Sequence, residues 1–177
     1  ITELSQQEIY RLYNDINGFE IIKPIHVSEL NDDLSYPWMC KGYTYKMNNK
    51  RYTWKNPNYE YVLQLKSNQM NPLYHYIELR KKHKLSEYLT YFSEMQHQFT
   101  NYRDKIHTLT NDVYTMYKQI RIKKEKDIKD CPFIMRPLLF KLHKNYLESK
   151  IPISWSDMKR FMNELDTKQL VYILNHK

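Results

Sequence analysis

Glycine is nearly missing from this chain, with two among 177 residues. A phosphate-cradling Walker loop and a dinucleotide fingerprint each need several glycines at fixed spacing, and neither fits around Gly18 or Gly42. Cysteine is as scarce. Cys40 and Cys131 are too few for a disulfide framework, and a reduced, intracellular setting is expected. No apolar run approaches the roughly eighteen residues of a membrane helix, so no membrane partner is expected. Paired metal ligands are missing too. Of the seven histidines none lies four residues from another, and neither cysteine has a cysteine two to four residues away, so no metal site is expected. The few carboxylates form no obvious acid–base pair. The chain starts at Ile1 without a signal-peptide pattern and reads as part of something longer.

What is present is a foldable, basic chain. Hydrophobic residues make up 41% and charged residues 27%, which excludes both a disordered tail and a membrane protein. The net charge is +8, and it is unevenly placed. Residues 1–66 carry eight basic and eight acidic side chains, so the whole excess lies in residues 67–177. A localised positive field implies an anionic partner, most often nucleic acid, although an acidic protein surface satisfies the same field. The seventeen tyrosines, with abundant Lys, Asn and Ile, also suggest an A/T-rich coding sequence, which enriches Lys and Tyr without regard to function.

Patterning predicts a mainly α protein: a C-terminal helical bundle over 67–177 preceded by a small α+β segment, residues 1–66, that contains a β-hairpin. Ser5 and Glu8 form a capping box, followed by a helical face of Ile9, Leu12, Tyr13 and Ile16 with Gly18 at its C-terminal cap, and Phe19 to Lys23 reads as a short strand. Trp38 to Met47 and Lys50 to Lys55 read as two strands around Asn48-Asn49. Asn56-Pro57 and Asn71-Pro72 each join an N-cap to a proline at the first helical position. Tyr59, Val62 and Leu63 belong to the helix after the first of these. Ser86 is expected to cap a short helix. From Ser93, Met95, Phe99, Tyr102, Ile106, Leu109, Val113, Met116 and Ile120 alternate spacings of four and three, giving about seven turns with one apolar stripe. That helix is the expected spine of the bundle, and its spacing also suits a coiled-coil homodimer through residues 95–120. A charged break, 121–130, precedes helices opened by Pro132 and Pro137, by Ser154-Trp155-Ser156-Asp157 and by Asp166.

The strongest functional signal is a pair of basic clusters. Arg80, Lys81, Lys82 and Lys84, with His83 among them, end one helix. Arg121, Lys123, Lys124 and Lys126 follow the long one. Cations at helix C-termini also favour the macrodipole by roughly 0.3–1 kcal/mol each, so either cluster alone has a structural explanation. Both follow helices able to pack side by side, and together they are expected to form one phosphate-binding patch.

At Lys41-Gly42-Tyr43-Thr44-Tyr45 and Arg51-Tyr52-Thr53-Trp54-Lys55-Asn56-Pro57 the chain resembles the tail of a phage-type RNA ligase domain, a covalent nucleotidyltransferase. Ile106-His107-Thr108-Leu109, Ile122-Lys123-Lys124-Glu125-Lys126 and Leu142-His143-Lys144-Asn145-Tyr146-Leu147 resemble ligase-like proteins of large DNA viruses. The resemblance spans residues 37–175. It implies a helical C-terminal domain, RNA as partner, host cytoplasm or virion as location, and Lys55 as a contact to nucleotide phosphates; ATP and Mg enter only through it. Three departures stand against catalysis. The family's Lys-x-Asp-Gly nucleophile motif is absent, Lys41 replaces a glutamate, and Thr53 replaces the first lysine of a Lys-hydrophobic-Lys strand. The chain is therefore expected to be a non-catalytic nucleic-acid-binding module, either separated from an upstream catalytic half or a degenerate relative kept for binding. The alternative is a viral structural or assembly protein that uses the bundle as a docking surface.

Overall fold

The computed structural model describes residues 8, 9, 11, 37–47 and 50–176. Apart from Glu8, Ile9 and Arg11, which are helical, the capping box at Ser5, the helix after it and the strand at 19–23 lie outside the described residues, as does the Asn48-Asn49 turn. The chain is mainly α with one small two-stranded sheet, and it divides into two compact units, Ile1–Tyr61 and Val62–Lys177.

In the first unit, strands β1 (Gly42–Met47) and β2 (Lys50–Lys55) pair antiparallel, from Gly42 opposite Lys55 to Met47 opposite Lys50. The strand begins at Gly42 and not at Trp38, because the Cys40 N–H turns back onto the Pro37 carbonyl. Gly42 sits at φ +142°, and a Cβ there would run into the Trp54 carbonyl, so one of the two glycines is fixed by close backbone approach. Tyr43 and Trp54, opposite in register, stack at 5.9 Å. Asn56 closes the hairpin's open end. It is buried, donates to the Pro37 and Cys40 carbonyls at 3.0 and 2.8 Å, and accepts from the Asn58 N–H at 3.0 Å as the N-cap of helix α1 (Pro57–Lys66).

The second unit is helical. Val62 and Leu65 of α1 turn inward while Leu63 is exposed, which moves the expected apolar face round by two residues. Next come α2 (Pro72–Lys81), α3 (Leu85–Tyr91), the long α4 (Gln96–Tyr117), α5 (Arg136–Ser149), α6 (Trp155–Glu164) and α7 (Thr167–Asn175). Their starts follow the chemistry of side-chain oxygens. Asn71 accepts from the Leu73 and Tyr74 N–H groups, Ser154 and Asp157 cap each other's backbone, and Asp166 accepts from Lys168 and Gln169. Helix α3 differs: it begins at Leu85 on Lys84, which makes no side-chain cap, so Ser86 lies inside the helix.

The spine forms as the spacing predicts, with Phe99, Ile106, Leu109 and Val113 buried, and a π-helical turn, Lys118–Ile122, carries it two residues into the expected break. The stripe is covered within the chain. Tyr76 of α2 meets Phe99 at 5.1 Å, Tyr88 of α3 meets Phe99 at 5.4 Å, and Met158, Met162, Leu138 and Leu142 supply further core. Residues 95–120 therefore offer no continuous apolar seam to a second copy, and the expected dimer through that stripe does not fit the fold. Tyr76, Tyr88 and Tyr117 are buried, so these tyrosines serve packing and not base stacking.

Among the described residues, four non-glycine residues take left-handed backbone, Ser67, His83, Lys124 and Lys150, at φ 55 to 58°. Each follows a helical segment, where glycine is usual, and a chain this poor in glycine puts ordinary side chains there.

Candidate nucleic-acid interface

The first basic cluster sits where α2 runs out against the middle of α4. Lys81 turns inward: its ammonium donates to the Leu165 carbonyl at 2.5 Å and to Thr167 Oγ1 at 3.0 Å, and Thr167 donates to Glu78 at 2.6 Å. This lysine ties the end of α6 and the start of α7 to α2. Lys82 lies 3.6 Å from Glu78 and Lys84 2.7 Å from Glu87, each a partly exposed pair of modest strength. Arg80 has no carboxylate within ion-pair distance among the described residues. His75, buried one turn earlier, has its pKa lowered, first by loss of solvent and then by the charge of Lys82.

Beside this cluster opens a cavity of about 810 Å³ between α2 and α6. Arg80 and Lys81 of α2, His83 just after it, and Ser156, Lys159, Arg160 and Asn163 of α6 line it, and the nearly covered core residues Ile77, Ile106, Met162 and Leu170 close it from within. Glu164 is the single carboxylate among the lining residues. The Arg160 guanidinium also donates to Asp157 at 2.6 Å. The Asp157 carboxyl is held below the usual range, chiefly by hydrogen bonds from Ser154 and then by Arg160. Lys159 and Arg160 were not among the expected site residues. Their signal in the sequence is two adjacent cations on the exposed face of a helix whose apolar face is the more conspicuous.

The second cluster is built differently. The π turn rotates Arg121 toward α5, where its Nε and His143 Nδ1 are both buried without a hydrogen-bond partner. The His143 pKa is lowered, first by loss of solvent and then by the neighbouring Arg121 charge. Lys123 lies 3.6 Å from Glu125, while Lys124 and Lys126 are exposed and without a carboxylate partner among the described residues. The two clusters do not merge. Ile106 lines the groove, and the spine rises about 24 Å from there to Ile122 at 1.5 Å per residue. The reason is that Tyr76 packs on Phe99 and Tyr102, so α2 ends beside the spine's midpoint and not its end.

In the first unit, Lys55 ends β2, exposed and 3.8 Å from Glu60. No three His, Cys, Asp or Glu side chains converge on one point among the described residues. No described helix is long and apolar enough to cross a membrane. No family model, no curated protein and no solved structure matches this chain, and the groove has to be read from its own geometry.

Proposed function

We propose that this chain is a nucleic-acid-binding module, with RNA as its partner and no catalysis of its own, from the C-terminal part of an RNA-ligase-like viral protein. The observation that carries the reading is the groove, which Arg80, Lys159, Arg160 and His83 line beside Glu164, with Lys81 taken up by Leu165 and Thr167 and Arg160 also bonded to Asp157. Lys124 and Lys126 add a second, separate set of exposed charges. Helices present no aromatic sheet, so the contacts expected are to phosphate, with little reading of sequence. Fluorescence anisotropy with RNA at two salt concentrations tests this. Each phosphate contact contributes about 0.7 to the slope of log affinity against log salt for a single strand, and a slope near zero overturns the reading.

A second reading has its own observation. Phe133, Phe140 and Leu147 are 81%, 55% and 49% exposed at seven-residue spacing along α5 and the turn before it, with Ile151 following. Such a face suits an assembly protein, docking through α5 and not through the spine. Light scattering over a concentration series separates the two: mass that rises with concentration and returns to a monomer on Phe140→Glu supports assembly.

A further inference from the structure

The zero balance of residues 1–66 conceals a local excess. Between Lys41 and Lys55 stand five of that segment's eight cations and none of its eight carboxylates, together with four aromatic residues. We infer that the β1–β2 hairpin is a nucleic-acid contact of its own, taking unpaired bases on an aromatic face and phosphates on its cations. This rests on the nucleic-acid reading and adds to it a preference for single-stranded RNA.

Positions alternate between the two faces of a strand, and cross-strand partners share a face. The register therefore sorts the hairpin by chemistry. Tyr43 opposite Trp54 and Tyr45 opposite Tyr52 make two adjacent aromatic rungs on one face. The Tyr43 and Trp54 rings lie 25° from parallel and are half-buried, and Tyr52 is 39% exposed. Rings held nearly parallel give a base an ordered surface, and stacking accepts any base. The other face is basic, and its charge works against the hairpin's own stability. Lys46 stands directly opposite Arg51, a like-charge rung that weakens a sheet, and a two-stranded hairpin is marginal to begin with. Lys55 has Glu60 of α1 at 3.8 Å, an exposed and weak pair, while the hairpin itself holds no carboxylate to relieve the Lys46–Arg51 rung. A phosphate does relieve it. An acidic peptide would meet the cations too, but it brings no flat rings to the aromatic face. A duplex keeps its base faces stacked within itself and gains nothing there.

The test is anisotropy on the full chain at one salt concentration, with a single-stranded RNA and a duplex of equal length. Tyr52→Thr keeps a residue suited to a strand and removes the ring. It is expected to weaken the single strand about tenfold and leave the duplex unchanged, and Tyr52→Phe, which keeps the ring, is expected to bind as the natural chain does. Arg51→Glu sets opposite charges on one rung. It is expected to raise the thermal midpoint while weakening both RNAs about fivefold, whereas a merely structural arginine would move stability and affinity the same way. A Tyr52→Thr loss shared equally by strand and duplex, an Arg51→Glu loss that comes with a lowered midpoint, or full binding by both variants overturns the hairpin contact and leaves the RNA-binding reading standing. Polyglutamate that displaces the single strand as well as unlabelled RNA does also overturns the base contact. No binding of the natural chain to either RNA at low salt overturns both.

Discussion

The clusters at 80–84 and 121–126 look interchangeable in sequence, each a run of cations after a helix, and the fold gives them opposite fates. At the first, one lysine is drawn into the packing, two pair with nearby glutamates, and Arg80 joins cations of α6 in lining one groove. At the second, part of Arg121 is buried in a π turn, and Lys124 and Lys126 are exposed with no carboxylate partner among the described residues. The difference lies in what stands beside them. A cation becomes part of a site when a second element brings matching groups to the same space; otherwise it is a charge on a surface. Under the proposed nucleic-acid reading, affinity would rest on the groove and the second cluster would add only long-range attraction.

The largest effect that could break that assignment is on affinity. Reversing Lys159 and Arg160 to Glu is expected to weaken single-stranded RNA by about 100-fold at low salt, since two attractions become repulsions beside a bound strand. Reversing Lys123, Lys124 and Lys126 together is expected to cost about tenfold, equally for strand and duplex, and to flatten the salt slope by about 2. Anisotropy titrations at several salt concentrations read both, and equal losses from the two sets of variants would erase the distinction. Next in size is stability. Lys81→Met keeps the side chain's bulk but removes the bonds to Leu165 and Thr167, and should lower unfolding free energy by about 2 kcal/mol in urea. Lys126→Met, with no such partner, should leave the midpoint unchanged.

Much of the second unit was legible, and the reasons are local. Asn71, Ser154 and Asp166 announce helices because a short side chain can satisfy a free N–H only at such a start. The spine was legible because its apolar spacing is unbroken from Phe99 to Val113. What stayed hidden was pairwise. No pattern within α2 shows that Lys81 meets a carbonyl 84 residues away, and none within α6 shows that Lys159 lines the same groove as Arg80. The π turn was hidden as well, because Arg121 begins a polar run that reads as loop. The site was therefore half visible: the cations at the end of α2 stood out as a run, while those of α6 were concealed by the apolar pattern of their own helix.

A smaller effect concerns backbone strain, which both clusters share. His83 and Lys124 each hold left-handed φ. Replacing either with Gly should raise stability by about 1 kcal/mol, because the Cβ penalty of that conformation disappears. The comparison sharpens on binding. His83→Gly removes a residue that lines the groove and should weaken RNA binding, while Lys124→Gly should lower the salt slope by about 0.7 for every RNA.

The smallest effect comes from two histidines, one beside each cluster. His75 near Lys82 and His143 near Arg121 both have pKa values below the ordinary 6.5, with burial the larger cause and the neighbouring cation the second. The sign follows from proton uptake. Above about pH 6.5 both rings are neutral whether the chain is folded or not, and their contribution to stability is complete. As pH falls through that value the unfolded chain takes protons first, so stability declines, then levels once the folded rings have also titrated. A thermal midpoint that drops between pH 7.5 and pH 5.5 is the expected result, and a midpoint that rises would contradict it. NMR titration of the ring protons separates the clusters. Lys82→Gln should raise the His75 pKa and leave His143 alone, and Arg121→Gln should do the reverse. Neither should restore the ordinary value, because loss of solvent, the larger cause at each ring, remains. A His143 ring indifferent to Arg121→Gln would mean that the π turn does not hold the guanidinium against α5, and the second cluster would then lie wholly in solvent.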